Sequence, residues 1–237
     1  MKSRVKVLSF AFIFLGCTAQ QIQSLSDIVG YEEGLTAEQV GAGLKEALVK
    51  GVSTGTQKVG KVDGYFKNPQ IKIPFPTDVQ KVENTLRDVG LGSQVDRFVM
   101  TLNRGAEEAA KEAKPVFVSA IKQMTIDDAW NILKGSDKEA ATNYLRRTTS
   151  AELRAKFAPI VKNALDQTNA TKYYSDIINS YNKIPLVEKV NPDLEDYATE
   201  KAMEGLFFMI ANEEKAIRAN PGARTTELLK KVFKEQD

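Results

Sequence analysis

The sequence predicts an all-α fold, a multi-helix bundle interrupted by one short extended proline-rich segment at about residues 68–76. Two patterns predict it. Apolar residues recur at spacings of three and four along much of the chain, which is the period of a helix with one buried face. Ser or Thr followed three positions later by Glu or Gln occurs repeatedly and indicates helix starts. Alternation of apolar residues at period two, typical of extended chain, is found at 68–76.

The first 16 residues have the pattern of a secretory signal peptide. A run of nine residues from Val7 to Leu15, apolar apart from Ser9, follows three cations, Lys2, Arg4 and Lys6. A positive segment followed by a short apolar segment is typical of export signals, and the run is shorter than the roughly 20 residues of a membrane-spanning helix. We therefore expect an exported protein of the bacterial cell envelope.

Cys17 follows this apolar run directly, in the sequence Phe14-Leu-Gly-Cys17. The sequence resembles the bacterial lipobox, in which the cysteine thiol receives diacylglycerol and becomes the mature N-terminus. On this interpretation residues 17–34 are a tether, and the lipid anchors the protein to the periplasmic face of the outer membrane. Ordinary cleavage after Ala19 is the alternative, and it would leave a soluble periplasmic protein.

A single helical domain is predicted over residues 35–237. Thr36 followed by Gln39 matches a capping box and places the start of the first helix. That helix also contains four glycines, Gly41, Gly43, Gly51 and Gly55. A glycine costs about 1 kcal/mol in a helix interior. The helix is therefore either frayed or packed very closely against a neighbour.

The segment 68–76 contains three prolines, which exclude a helix. Its apolar residues Ile71, Ile73 and Phe75 alternate with polar residues or prolines. We expect an extended strap laid over the core, because prolines are poorly tolerated in a central strand.

Two later helices are predicted from similar signals. Thr149 followed by Glu152 indicates a helix start, by the capping-box rule. A helix is expected over 192–219, and its segment Leu206-Phe-Phe-Met-Ile210 is apolar on every side. A helix without a polar face is buried all round, so this helix should form the centre of the bundle.

The composition excludes several classes of function. The chain has no histidine, and its one cysteine is Cys17, which excludes Ser-His-Asp and Cys-His catalysis, His-based zinc sites and internal disulfides. Without the first 16 residues the chain has 30 basic and 31 acidic residues, so a nucleic-acid partner is not expected. We expect no metal, no cofactor and no enzymatic activity.

One group of charged residues follows the apolar centre of the last long helix. It consists of Glu213, Glu214, Arg218 and Arg224. Glu213 shares a helical row with Leu206 and is expected on the core face, and Arg218 lies four residues after Glu214, the spacing of an ion pair. The group is either a pocket for an anionic ligand or a structural network that locks the helix to the bundle.

Asn103 and Glu107 form a second polar pair, one helical turn apart. Asn103 shares a row with Val99 and Ala106, so it is expected to face inward. The pair either lines a polar cavity or forms hydrogen bonds to a neighbouring segment.

The motifs in register along the chain resemble one known family. They are Leu44-Lys-Glu-Ala-Leu48, Asp63-Gly-Tyr65, the Asn103-Arg104 helix, Asp128-Ala129, Ile132-Leu-Lys-Gly135, Ala140-Ala-Thr142 and the run from Glu213 to Thr226. The chain resembles the bacterial domain-of-unknown-function family 4197 over roughly residues 25–235. The resemblance implies secreted or lipid-anchored proteins and supplies no activity and no site residues.

Three hypotheses for the function follow. The first is a non-catalytic envelope lipoprotein that acts as a binding module for an envelope protein partner. The second is a periplasmic binder or sensor of a small apolar or anionic ligand, held near Glu213, Arg218 and Arg224. The third is a histidine-free hydrolase that uses carboxylates, which would need two close, solvent-accessible carboxylates in a cleft.

Overall fold

The computed structural model describes residues 36–88, 90–183, 185–186, 189–191, 193–220 and 230–232. These residues contain eight α-helices with described bounds, one short 3-10 helix and a helical stretch at 230–232, with no strand, so the predicted all-α fold is confirmed. The 3-10 helix, Thr77–Val79, precedes α2. The α-helices are α1 (Ala37–Val59), α2 (Gln80–Asp88), α3 (Gly92–Ala110), α4 (Ala113–Gln123), α5 (Ile126–Lys134), α6 (Ala140–Asp166), α7 (Ala170–Tyr181) and α8 (Leu194–Ala219).

Helix α8 lies at the centre of the packing. It packs against α1 and α6, and α6 in turn packs against α3, while α4 and α5 pack against α1. The core between them contains fully buried large side chains, among them Leu102, Leu145, Leu206 and the edge-to-face pair Phe117 and Phe207. Within this part of the chain, no helix combines the length and the apolar content needed to cross a membrane.

The glycines of α1 lie where this helix meets α8. A Cβ added to Gly55 would come within 2.7 Å of the Ile210 side chain, and one added to Gly51 would contact Ile217. Of the two alternatives for this helix, the structure therefore shows close packing rather than fraying. Thr36 caps α1 in a full capping box with Gln39, as predicted.

The proline-rich segment lies across the core as a strap. Residues 69–71 form a turn and 72–74 have neither helix nor strand structure. Ile71, Ile73 and Phe75 are buried, so the period-two alternation correctly identified the residues that face inward. The preceding turn is also anchored, because the Tyr65 hydroxyl donates a buried hydrogen bond of 2.6 Å to the carbonyl of Ala202 on α8.

The predicted helix start at Thr149 is wrong. Helix α6 runs unbroken from Ala140 to Asp166. The Thr149 hydroxyl donates a 2.6 Å hydrogen bond to the carbonyl of Leu145, four residues back, instead of accepting one from a helix terminus. Threonine can satisfy its hydroxyl in either way, and burial of Thr149 decides between them here.

The central helix also differs slightly from its prediction. It begins at Leu194, two residues later than expected, with the Asp193 side chain accepting from the Asp196 amide as its N-cap. Leu206, Phe207 and Ile210 are buried, but the Phe208 side chain is exposed. The helix is therefore buried on most of its circumference and not on all of it.

Candidate functional site

Glu214 is the buried carboxylate of the predicted charged group. Its two oxygens accept hydrogen bonds from the backbone amides of Ala141 and Thr142, at 3.0 and 2.8 Å, and from the Thr142 hydroxyl. These amides belong to the first turn of α6, where backbone N–H groups have no partner within the helix. Glu214 therefore caps α6 from another helix, and α6 has no side-chain cap of its own.

Arg218 completes this network from the other side. Its guanidinium donates to Glu214 at 2.9 and 3.0 Å and to the carbonyl of Ile132 at 3.0 Å. Ile132 lies in the last turn of α5, where carbonyl groups lack helical partners and the helix dipole favours a cation. The Glu214–Arg218 pair thus joins the central helix to the start of α6 and the end of α5.

The prediction that Glu213 lies on the core face holds in part, because its side chain is 15% exposed and lies beside Gly51 and Gly55 of α1. It forms an ion pair with the half-exposed Lys58 of α1, whereas Glu214 is buried. The buried row of α8 consists of Leu206, Ile210 and Glu214, each four residues from the last. Arg224, the fourth predicted member of the group, lies outside the described residues.

The space beside this network is too small for an organic ligand. The cavity lined by Leu48, Leu145, Glu214 and Arg218 has a volume of about 20 Å³. A single water needs roughly 10–15 Å³ by this measure. Among the described residues, the space beside Glu214 and Arg218 is therefore too small for the predicted ligand, and both side chains bind groups of the protein itself.

Asn103 is fully buried and holds the strap. Its side-chain amide exchanges two hydrogen bonds of 2.8 Å with the backbone N–H and C=O of Ile73, and also donates to the carbonyl of Val99. This is the pairing that a neighbouring strand would provide. Asn103 thus replaces a strand partner for one residue of the strap.

Glu107 holds the turn that precedes the strap. One of its oxygens accepts hydrogen bonds from the backbone amides of Tyr65 and Phe66, both at 3.1 Å. The other oxygen accepts a hydrogen bond from Arg104 at 2.5 Å. Arg104 also pairs with Asp63 at 2.7 Å. Hydrogen bonds from Lys67 and Arg104 lower the pKa of the Asp63 carboxyl. Asn103 and Glu107 therefore form hydrogen bonds to the backbone of a neighbouring segment, which is the second of the two predicted alternatives.

A much larger cavity lies between α2, α3 and α7, and none of the predicted site residues that the structure describes lines it. Its volume is about 510 Å³. Buried side chains form its floor, namely Val79, Val95, Ala170, Tyr174 and Ile178. Phe75 and Phe98, with ring centroids 5.1 Å apart, form one wall. Both the volume and the apolar lining are those of small-molecule binding sites.

Helix α2 covers one side of this cavity. It contributes Val82 and Leu86, which are half-buried, and none of its side chains is fully buried. Arg87 links it to α3 by a 3.0 Å ion pair with Asp96, and also pairs with Glu83 on α2 itself. The apolar face of α2 is therefore only partly packed against the core.

Arg97, on the rim of the cavity, was not among the predicted site residues. Leu91, Gln94 and Arg97 line the cavity and are exposed. Arg97 is the one charged residue among the described residues that line it. The sequence did offer one signal for the cavity. Apolar residues recur at Val79, Val82 and Leu86, and this spacing predicts an apolar face along a short helix.

Cys17, the predicted lipidation site, lies outside the described residues. Among those described, no three His, Cys, Asp or Glu side chains form a group that could hold a metal ion.

Comparison with known proteins gives a family and no activity. No curated protein and no solved structure is significantly similar to the chain. One family model, described as "Protein of unknown function (DUF4197)", matches residues 34–234. This match covers most of the sequence, including all the helices and both polar networks, and on that ground the chain belongs to the DUF4197 family.

Proposed function

We propose that this protein is a non-catalytic binding protein of the bacterial envelope, and that it holds a small apolar ligand in the cavity between α2, α3 and α7. The single observation that supports this function is the apolar cavity of about 510 Å³. It favours the small-ligand hypothesis over a protein-interaction module, although the ligand site differs from the predicted one.

Two other spaces in the described part of the chain suit an apolar ligand less well. A groove of about 400 Å³ between the strap and α8 is lined by Lys72, Lys201 and Glu204 among other residues. Solvated charges of both signs oppose burial of an apolar molecule there. The cavity beside Glu214 is too small.

The state of the carboxylates supports a non-catalytic role. The oxygens of Glu107 and Glu214 accept hydrogen bonds from backbone amides and from arginine. A general acid or a nucleophile needs an oxygen directed at the substrate. Both carboxylates are instead directed at their own chain.

The envelope location is supported by the predicted signal peptide and by Cys17. If the cysteine carries diacylglycerol, mass spectrometry of the native N-terminal peptide will show an acylated Cys17. A native chain that begins at Gln20 would contradict the anchor and leave a periplasmic protein.

The ligand site is tested by a charge placed in the wall of the cavity. The full mature chain is produced without lipid, and binding of 1-dodecanol is measured by displacement of a fluorescent apolar probe. We expect Leu86→Glu to weaken binding at least tenfold, because a carboxylate must be desolvated beside the ligand. The variant should keep its helix content and melting temperature, since α2 has no fully buried side chain.

Asn84→Glu is the matched control. Asn84 is exposed on the same helix and does not line the cavity, so the same new charge there should leave binding unchanged. Equal weakening in both variants, or dodecanol binding that survives Leu86→Glu, would show that the cavity is not the ligand site.

A further inference from the structure

The polar groups around the cavity distinguish one class of apolar ligand from the others. The hydroxyl of Thr101 donates to the carbonyl of Arg97 at 3.0 Å, and the hydroxyl of Thr168 donates to the carbonyl of Leu165 at 3.0 Å. Neither threonine hydroxyl is therefore a free donor for a ligand. Among the described residues of the cavity floor, Val79, Val95, Ala170 and Ile178 are apolar, and Tyr174 carries the one hydroxyl.

Arg97 differs from these residues in charge and in exposure. Its side chain lines the cavity and is exposed to solvent, whereas the nearby Val95 and Tyr174 are buried. The adjacent carboxylate, Asp96, pairs with Arg87 at 3.0 Å. In the described part of the chain, no carboxylate forms an ion pair with the Arg97 guanidinium. A cation thus stands at the mouth of an apolar cavity without a protein counter-ion among these residues.

We propose that the cavity takes an anionic amphiphile, a molecule with one acyl chain inside and a carboxylate head paired with Arg97. This inference rests on the proposed function and adds the chemical class of the ligand. A guanidinium can bind a carboxylate through two parallel hydrogen bonds, so it recognises the head by geometry as well as by charge. The apolar floor accepts the chain by removing it from water.

The experiment compares three probes with the same twelve-carbon chain: dodecanoate, 1-dodecanol and dodecyltrimethylammonium. Binding to the full mature chain is measured at pH 8, below the micelle concentration, by displacement of a fluorescent probe. We expect dodecanoate to bind about fivefold or more tightly than the alcohol, as one partly solvated ion pair provides. The ammonium should bind most weakly, and the preference for dodecanoate should shrink as salt is added.

Two variants assign the preference to Arg97. Arg97→Gln should reduce the dodecanoate affinity to that of the alcohol and leave the affinity for the alcohol itself unchanged. Lys114→Gln removes one positive charge from α4 at an exposed position that does not line the cavity, and it should retain the full preference. Arg97→Lys should keep part of it, because lysine supplies the charge without the paired geometry.

The possible outcomes separate failure of this inference from failure of the proposed function. Equal binding of all three probes, unaffected by Arg97→Gln, overturns the anionic amphiphile and leaves the apolar site standing. Preference for dodecanoate that Lys114→Gln reduces as strongly as Arg97→Gln would also overturn it, since net charge would then be the cause. Failure of every probe to bind would overturn both the proposed function and this inference.

Discussion

The region around α8 and the region around α2 use polar and apolar residues in opposite ways. Around Glu214 and Arg218 on α8, charged side chains are buried or half-buried and little space is left unfilled. Glu214 accepts hydrogen bonds at the start of α6, and Arg218 donates one at the end of α5. The cavity beside them has room for about one water. Around α2, the lining is apolar and a space of about 510 Å³ remains.

The comparison shows that buried charge alone does not identify a functional site. Removing a charge from water is costly, so a buried charge persists where several hydrogen bonds compensate it. Both buried carboxylates meet that condition through backbone amides of another segment. The side chains around an unfilled apolar cavity lack packing contacts on one side, and a ligand can supply those contacts. The candidate site therefore lies where packing is incomplete.

The largest expected effect comes from breaking the network on α8. Glu214→Leu leaves the amides of Ala141 and Thr142 and the Arg218 guanidinium without their acceptor. We expect the free energy of unfolding in urea to fall by about 3 kcal/mol or more. Glu204→Leu, an exposed position on the same helix, should change it by less than about 1 kcal/mol. Similar values for both variants would show that the network contributes little.

A second measurement compares one leucine from each region. Leu206→Ala removes a fully buried side chain from α8 and should cost about 2–5 kcal/mol. Leu86→Ala removes a half-buried side chain that faces open space and should cost below about 1 kcal/mol. Urea unfolding of both variants gives the two values. A cost at Leu86 equal to that at Leu206 would mean that the space beside α2 is closed in solution.

The smallest expected effect is a change in melting temperature that disappears at acidic pH. The pKa of Asp63 is lowered in the folded protein by Lys67 and Arg104. A lowered folded pKa contributes stability above the unfolded value of about 3.9, and this contribution is lost as pH falls through the folded value. Asp63→Asn keeps a side chain that tolerates the positive φ of 68° at this position. The variant should therefore melt lower than the parent at pH 6–7 and equally at pH 2. A difference in melting temperature that persists unchanged at pH 2 would assign the effect to packing.

The sequence alone predicted the features that depend on residues close together in the chain. The capping box at Thr36, the alternation in the strap and the inward position of Asn103 all follow from spacing within a few residues. The i,i+4 spacing of Glu214 and Arg218 likewise predicted their pairing. The misplaced helix start at Thr149 shows the limit of such rules, because a hydroxyl that can cap a helix can also bond within it.

The rest depends on contacts between distant residues. Glu214 reaches amides 72 and 73 positions away, and Arg218 reaches a carbonyl 86 positions away. No local pattern specifies which helix ends will lie beside α8. The cavity is harder still to predict, because it arises where α2, α3 and α7 fail to fill the space between them, and Arg97 gains its position only from that arrangement.

The buried hydroxyl of Tyr65 gives the fold an alkaline limit that its acidic residues do not. Burial raises the pKa of this phenol well above its ordinary value of about 10. The unfolded chain releases this proton at about pH 10, and the folded chain retains it while Tyr65 donates to Ala202. Stability from this group is therefore fully present below about pH 10 and declines as pH rises beyond it. Release of the Tyr65 proton therefore requires the contact between the turn and the central helix to open.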